Sequence, residues 1–146
     1  AEVMDTVSLI DAIWLKPGTG DIVAAFEIEK TTSIYSGILR LEDLARSISG
    51  QACKLYLVAP NEREKEVMAQ FLRPALRPGV ESLSLAFIPF KELSENCEAL
   101  CKFGNDHTIM QKIARSWSGA SAAQEPPRAQ AQPIAANTAI QIPDRL

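Results

Sequence analysis

Phe26-Glu27-Ile28-Glu29-Lys30 ends an apolar run, Ile22-Val23-Ala24-Ala25-Phe26, with two acids two residues apart. In a strand, residues two apart point to the same face. Glu27 and Glu29 then project side by side, with Val23 and Ala25 behind them. Ala24, Phe26, Ile28 and Lys30 take the other face. A second run, Val7-Ser8-Leu9-Ile10-Asp11-Ala12-Ile13-Trp14, lies upstream and carries Asp11. Between the two runs, Lys16-Pro17-Gly18-Thr19-Gly20-Asp21 is dense in turn formers. The pattern predicts an antiparallel hairpin. A centre near Thr19 places Asp11 opposite Glu27 on the same face.

Like charges facing each other across a ladder are destabilising. On a half-buried sheet they also lose hydration. A divalent cation between them removes both penalties, and hard carboxylate oxygens suit Mg²⁺. The residues alone leave a second reading equally open: a solvent-facing hairpin whose acids only keep it soluble, since short acidic patterns arise often by chance.

The 146 residues are enough for one domain with a real core. Hydrophobic content of 47% and charged content of 23% are those of a soluble globular chain. A net charge of -3 gives no global basic field, so nucleic-acid binding would need a local basic patch. No apolar run has the length of a membrane span, and no secretory signal is visible, so the expected setting is cytoplasmic. Because Ala1 is not an initiator methionine, the chain reads as a domain cut from a longer protein. Three cysteines, Cys53, Cys97 and Cys101, form no disulfide framework. Cys97 and Cys101 share a face of an expected helix and read as buried apolar thiols. His107, the single histidine, reads as a loop or helix-surface residue.

Thr31-Thr32-Ser33 is a cluster of good N-cap residues. Ile34, Ile38, Leu41, Ala45 and Ile48 then recur at helical spacing, with Arg40, Glu42, Asp43 and Arg46 on the other face and Gly50 at the stop. The helix N-terminus lies near the acids and favours anions such as phosphate. Residues 54–59 read as a buried strand joined by a parallel crossover. Asn61 with Glu64 resembles a capping box for a helix carrying Val67, Met68, Phe71 and Leu72, ended by Pro74 and Pro78-Gly79. Residues 82–88 read as a strand. Residues 90–103 read as one helix with Leu93, Cys97, Leu100 and Cys101 on a stripe and Gly104 at its end. A last short helix is expected over 109–117. From 118 to 146, Ala, Gln and Pro dominate, and a disordered tail is expected. The domain is thus 1–117. Its fold class is α/β, a mixed central sheet flanked by helices.

Ile10-Asp11-Ala12-Ile13-Trp14, a short turn, and the stretch from Phe26 through Thr31-Thr32-Ser33 to Arg40 together resemble the PD-(D/E)xK nuclease superfamily in a D…ExE form. The resemblance is closest to bacterial domains of that superfamily and covers roughly the first sixty residues with motifs. It implies a restriction-endonuclease-like core, whose first helix is expected upstream of residue 1. It implies that Asp11 and Glu27 bind Mg²⁺ or Mn²⁺, with Glu29 at the third motif position, where lysine is usual. Asp21 is a competing acid but sits in the turn. Lys30 should face away. Thr31, Thr32, Ser33 and Arg40, with Lys54 and Arg46, are the residues expected to touch a nucleic-acid backbone. Glu29→Lys should return the commoner motif and keep some activity. The implied function is metal-dependent hydrolysis of DNA phosphodiester bonds, with RNA as a second substrate, an upstream domain of the same protein as partner, no membrane, and a homodimer allowed. The competing function is a non-catalytic regulatory or interaction module that keeps the nuclease fold.

Overall fold

The computed structural model describes residues 2–48, 50–103 and 107–117. Gly104 and the Ala/Gln/Pro-rich stretch 118–146 lie outside the described residues. The elements run α1 (Glu2–Val7), β1 (Ala12–Leu15), β2 (Ile22–Ile28), α2 (Ile34–Ser47), β3 (Lys54–Ala59), a 3-10 turn (Asn61–Arg63), α3 (Glu64–Phe71), α4 (Arg77–Ser82), β4 (Ala86–Pro89), α5 (Phe90–Glu95), α6 (Cys97–Lys102) and α7 (Thr108–Ile113).

One mixed sheet in the order β1-β2-β3-β4 forms the centre. β1 and β2 are the expected antiparallel hairpin, and β2, β3 and β4 are parallel. Glycines at positive φ, Gly18 at 87° and Gly20 at 74°, give the hairpin turn a backbone that other residues resist. Helices cover both faces. On one face Ala25, Leu55, Leu57, Ala59 and Phe87 pack against Ile34, Ile38, Leu41 and Leu44 of α2, Val67 and Phe71 of α3, and Val80 of α4. On the other face Ala24, Phe26, Tyr56, Val58 and Ile88 pack with Met110 of α7 and with Phe90, Leu93 and Leu100 of α5 and α6. Burial on both faces explains why β3 is apolar almost throughout. Each fully buried Leu or Ile here contributes about 1.5–3 kcal/mol. The architecture agrees with a restriction-endonuclease-like core.

Several sequence expectations are corrected. The register slips between Trp14 and Leu15, so that Leu15 pairs with Ile22. A bulge reverses side-chain parity, and Ile22 joins Ala25 in the α2-side core in place of Val23. A short helix that the sequence pattern does not announce, α1 at Glu2–Val7, packs on α2. Pro78 and Gly79 do not end a helix but lie within α4, where proline in the first turn needs no N–H partner. The last strand accordingly shrinks to Ala86–Pro89, after a turn with Ser84 at φ 50°. Asn61 does not cap α3; its Oδ1 accepts the Lys91 N–H at 3.0 Å, linking the ends of β3 and β4. The helix expected over 90–103 breaks at Asn96 into α5 and α6, and Cys97 and Cys101 are exposed rather than buried. The helix expected over 109–117 stops at Ile113. Arg115 then exchanges two 2.7 Å backbone hydrogen bonds with Phe87 beside β4.

Candidate functional site

The acids stand at the C-terminal end of β2, where the strand meets α2. Glu27 pairs with Leu57 within the parallel ladder, one step before its end. Glu29 lies just past the strand, yet its N–H still donates to the Val58 carbonyl at 2.8 Å. Both carboxylates point toward α2, as strand parity requires. They are almost wholly enclosed, at 0% and 1% exposure, the two buried charged residues of the described chain.

α2 is what makes this burial tolerable. Ser33 caps it, its Oγ accepting the Ser36 N–H at 3.3 Å. Arg40 lies two turns along. Its Nε donates to Glu27 Oε2 at 2.8 Å, and its Nη2 reaches Glu27 Oε2 and, at 2.7 Å, Glu29 Oε1. One guanidinium therefore bridges both acids, the fork geometry in which arginine excels. Thr32 donates its hydroxyl to Glu29 Oε2. Both Glu29 oxygens are bonded, whereas Glu27 Oε1 is buried without a hydrogen-bond partner.

Asp11 sits immediately before β1. Extending the Ala12–Phe26 pairing by one step sets it across from Glu27. It is exposed, and its Oδ2 accepts the Ile28 N–H at 2.8 Å. Burial holds Glu27 above the ordinary carboxylate range; the hydrogen bond and charge of Arg40 oppose this, and the charges of Asp11 and Glu29 add to it. The bond to Glu27 raises the Arg40 pKa further, so the guanidinium stays charged. Among the described residues no three His, Cys, Asp or Glu side chains form a ready cation cage. The arrangement is instead a carboxylate pair neutralised by arginine, with a third carboxylate at its edge.

The remaining named residues scatter. Asp21 accepts from Thr19 Oγ1 at 2.7 Å in the hairpin turn, at the opposite end of β2. Lys30 and Thr31 are exposed. Lys54 pairs with Ala24, toward the strand start and away from the acids. Arg46 pairs loosely with Glu42 at 3.5 Å. Arg40 does not lie on a solvated helix face but is turned onto the acids. The sequence carried one signal for that: Gly37 and Arg40 are three apart, on one stripe. Arg63, from beyond β3, also reaches the loop after Glu29 and had no such signal.

A comparison with protein families matches residues 1–115 to the Type II restriction enzyme NmeDI C-terminal domain. The chain belongs to that family. Searches of curated proteins and of solved structures gave no match. The matched span contains the whole described sheet, α1 to α7, and every acid of the site. No helix among its described residues is long and apolar enough to cross a membrane.

Proposed function

We propose that this domain is a divalent-metal-dependent nuclease domain that hydrolyses DNA phosphodiester bonds as part of a larger restriction enzyme. The observation that carries the reading is the buried Glu27 carboxylate, with one unpartnered oxygen, beside Asp11 in a restriction-enzyme family domain. An orphaned buried carboxylate oxygen is rare and unfavourable. Hard oxygen donors from two adjacent strands suit Mg²⁺ or Mn²⁺. Asp11 and Glu27 would hold the ion, and Glu29 would join them through lone pairs not taken by Arg40 and Thr32. The bound ion would supply Lewis-acid polarisation and a more acidic water.

Arg40 would take the part that lysine usually has in the motif. It is cationic and a third exposed, so one side is open toward an incoming phosphate. Its two acids fix its orientation without help from substrate, which is the form of preorganisation that stabilises developing negative charge. Thr32 would keep Glu29 oriented to accept a proton from water. Thr31 and the Ser33 end of α2 would meet the DNA backbone.

The test is nicking of supercoiled plasmid by the full-length protein with Mg²⁺ or Mn²⁺, with chelator controls and an RNA substrate alongside. Cleavage that requires metal and is lost in Glu27→Ala supports the reading. A second reading has its own observation: Arg40 already neutralises both buried acids, so the cluster is satisfied as a structural ion pair. Wild-type protein that binds no metal and cleaves neither substrate would favour that reading, a non-catalytic module retaining the fold.

A further inference from the structure

Arg63 closes the 3-10 turn after β3 and is mostly buried, at 18% side-chain exposure. Its Nη1 donates to two backbone carbonyls, Glu29 at 2.9 Å and Thr32 at 2.8 Å. Its Nε and Nη2 donate to Glu66 Oε2 and Oε1 at 2.9 and 2.8 Å. The bidentate pair fixes the plane of the guanidinium, and the remaining edge then holds the loop. Glu29 is past the end of β2, where no ladder partner restrains its carbonyl. Thr32 is the residue whose hydroxyl bonds Glu29 Oε2. Arg63 thus ties the backbone of both residues that determine where the Glu29 carboxylate sits.

We propose that Arg63, oriented by Glu66, is a positioning residue that sets the Glu29 carboxylate for metal-dependent phosphodiester cleavage. This rests on the nuclease reading above. Arg63 touches no reacting atom; it acts through the loop backbone. Lysine cannot replace it, because one ammonium cannot hold two carbonyls and both oxygens of Glu66 in a plane.

The experiment compares Arg63→Met, Arg63→Lys and Glu66→Gln with wild type in the full-length protein. It measures kcat and KM for DNA, the metal concentration for half-maximal rate, and the chemical shift of the Glu29 carboxyl carbon by NMR at one pH. Loss of an outer partner of a metal-site carboxylate lowers activity or metal affinity about 10- to 100-fold. The expected result is a kcat loss of that order for both Arg63 variants with KM for DNA little changed. The metal requirement rises, the Glu29 carboxyl carbon signal moves, and Glu66→Gln shifts it the same way by less. Wild-type kcat and metal dependence per folded molecule in Arg63→Lys, or an unmoved Glu29 carboxyl signal, would overturn the proposal. If Arg63→Met fails to fold, Arg63→Lys and Glu66→Gln carry the comparison. If wild type neither cleaves nor binds metal, the nuclease reading fails by itself. The Glu29 carboxyl carbon signal then still decides whether Arg63 positions that carboxylate.

Discussion

A Cβ at Gly37 would stand 2.6 Å from Glu29 Oε1, with Glu29 Cγ and Leu57 Cδ1 each at 3.0 Å. The glycine at the end of the first turn of α2 is there because an acid side chain occupies its space. Alanine should gain up to about 1 kcal/mol in helix propensity. The collision should outweigh that gain, since overpacking costs about 1–3 kcal/mol. Gly37→Ala is therefore expected to lose stability in denaturant titration and to lose cleavage more steeply, because the carboxylate itself must move. A variant that is more stable and fully active would mean Glu29 has room to swing aside.

Arg40 offers a separable test. Its removal leaves two buried carboxylates facing each other. Breaking a buried ion pair costs about 3–5 kcal/mol, and partial exposure of Arg40 favours the low end. Arg40→Met should melt earlier at neutral pH. If Asp11, Glu27 and Glu29 hold a cation, Mg²⁺ or Mn²⁺ should raise the melting temperature of this variant more than that of wild type, because arginine no longer competes. Equal or absent metal shifts, read by scanning calorimetry, would count against the metal site.

The elements near these residues were largely legible in the sequence. The hairpin and α2 have two- or 3.6-residue periods and clear turn or cap residues, β3 is a short unbroken apolar run after a helix, and the Asp11–Glu27 alignment follows from strand parity. What failed did so where local chemistry is ambiguous. Pro78-Gly79 signals a stop as well as a helix start. Asn61 is a good cap that was drawn to the Lys91 N–H instead. Cys97 and Cys101 have helical spacing, but the helix breaks at Asn96 and both thiols stay exposed. Arg63 was illegible, and Arg40 marked only by its spacing from Gly37, for a different reason: their partners lie 11 to 34 residues away, and only the folded sheet brings them to Glu27 and Glu29.

The raised pKa of Glu27 fixes the sign of a pH effect. Its folded form takes up a proton more readily than its unfolded form. Its contribution to stability is therefore fully present below the unfolded carboxylate value of about 4.5 and is lost as pH rises through the higher folded value. Glu27→Gln should remove that dependence. The stability of Glu27→Gln relative to wild type should improve on going from pH 4 to pH 7. Denaturation midpoints across that range check it, and a difference that runs the other way would mean Arg40 outweighs burial at this carboxylate.

The last test concerns Glu29, at the position where the nuclease resemblance leads one to expect lysine. From the sequence, Glu29→Lys looks like a harmless return to the commoner motif. The structure changes that expectation, because Glu29 Oε1 lies 2.7 Å from the Arg40 guanidinium in a buried site. A lysine there meets a like charge with little water to screen it, and Thr32 loses its acceptor. Glu29→Lys alone should be destabilised and inactive. Pairing it with Arg40→Met moves the one cation back to the motif position and removes the repulsion. The double variant should recover both stability and metal-dependent cleavage beyond the sum of the single changes, a coupling that a double-mutant cycle reads directly. Recovery of stability without cleavage would show that Arg40 serves the fold but not the reaction. No coupling at all would show that Arg40 and Glu29 do not share one charge site in solution.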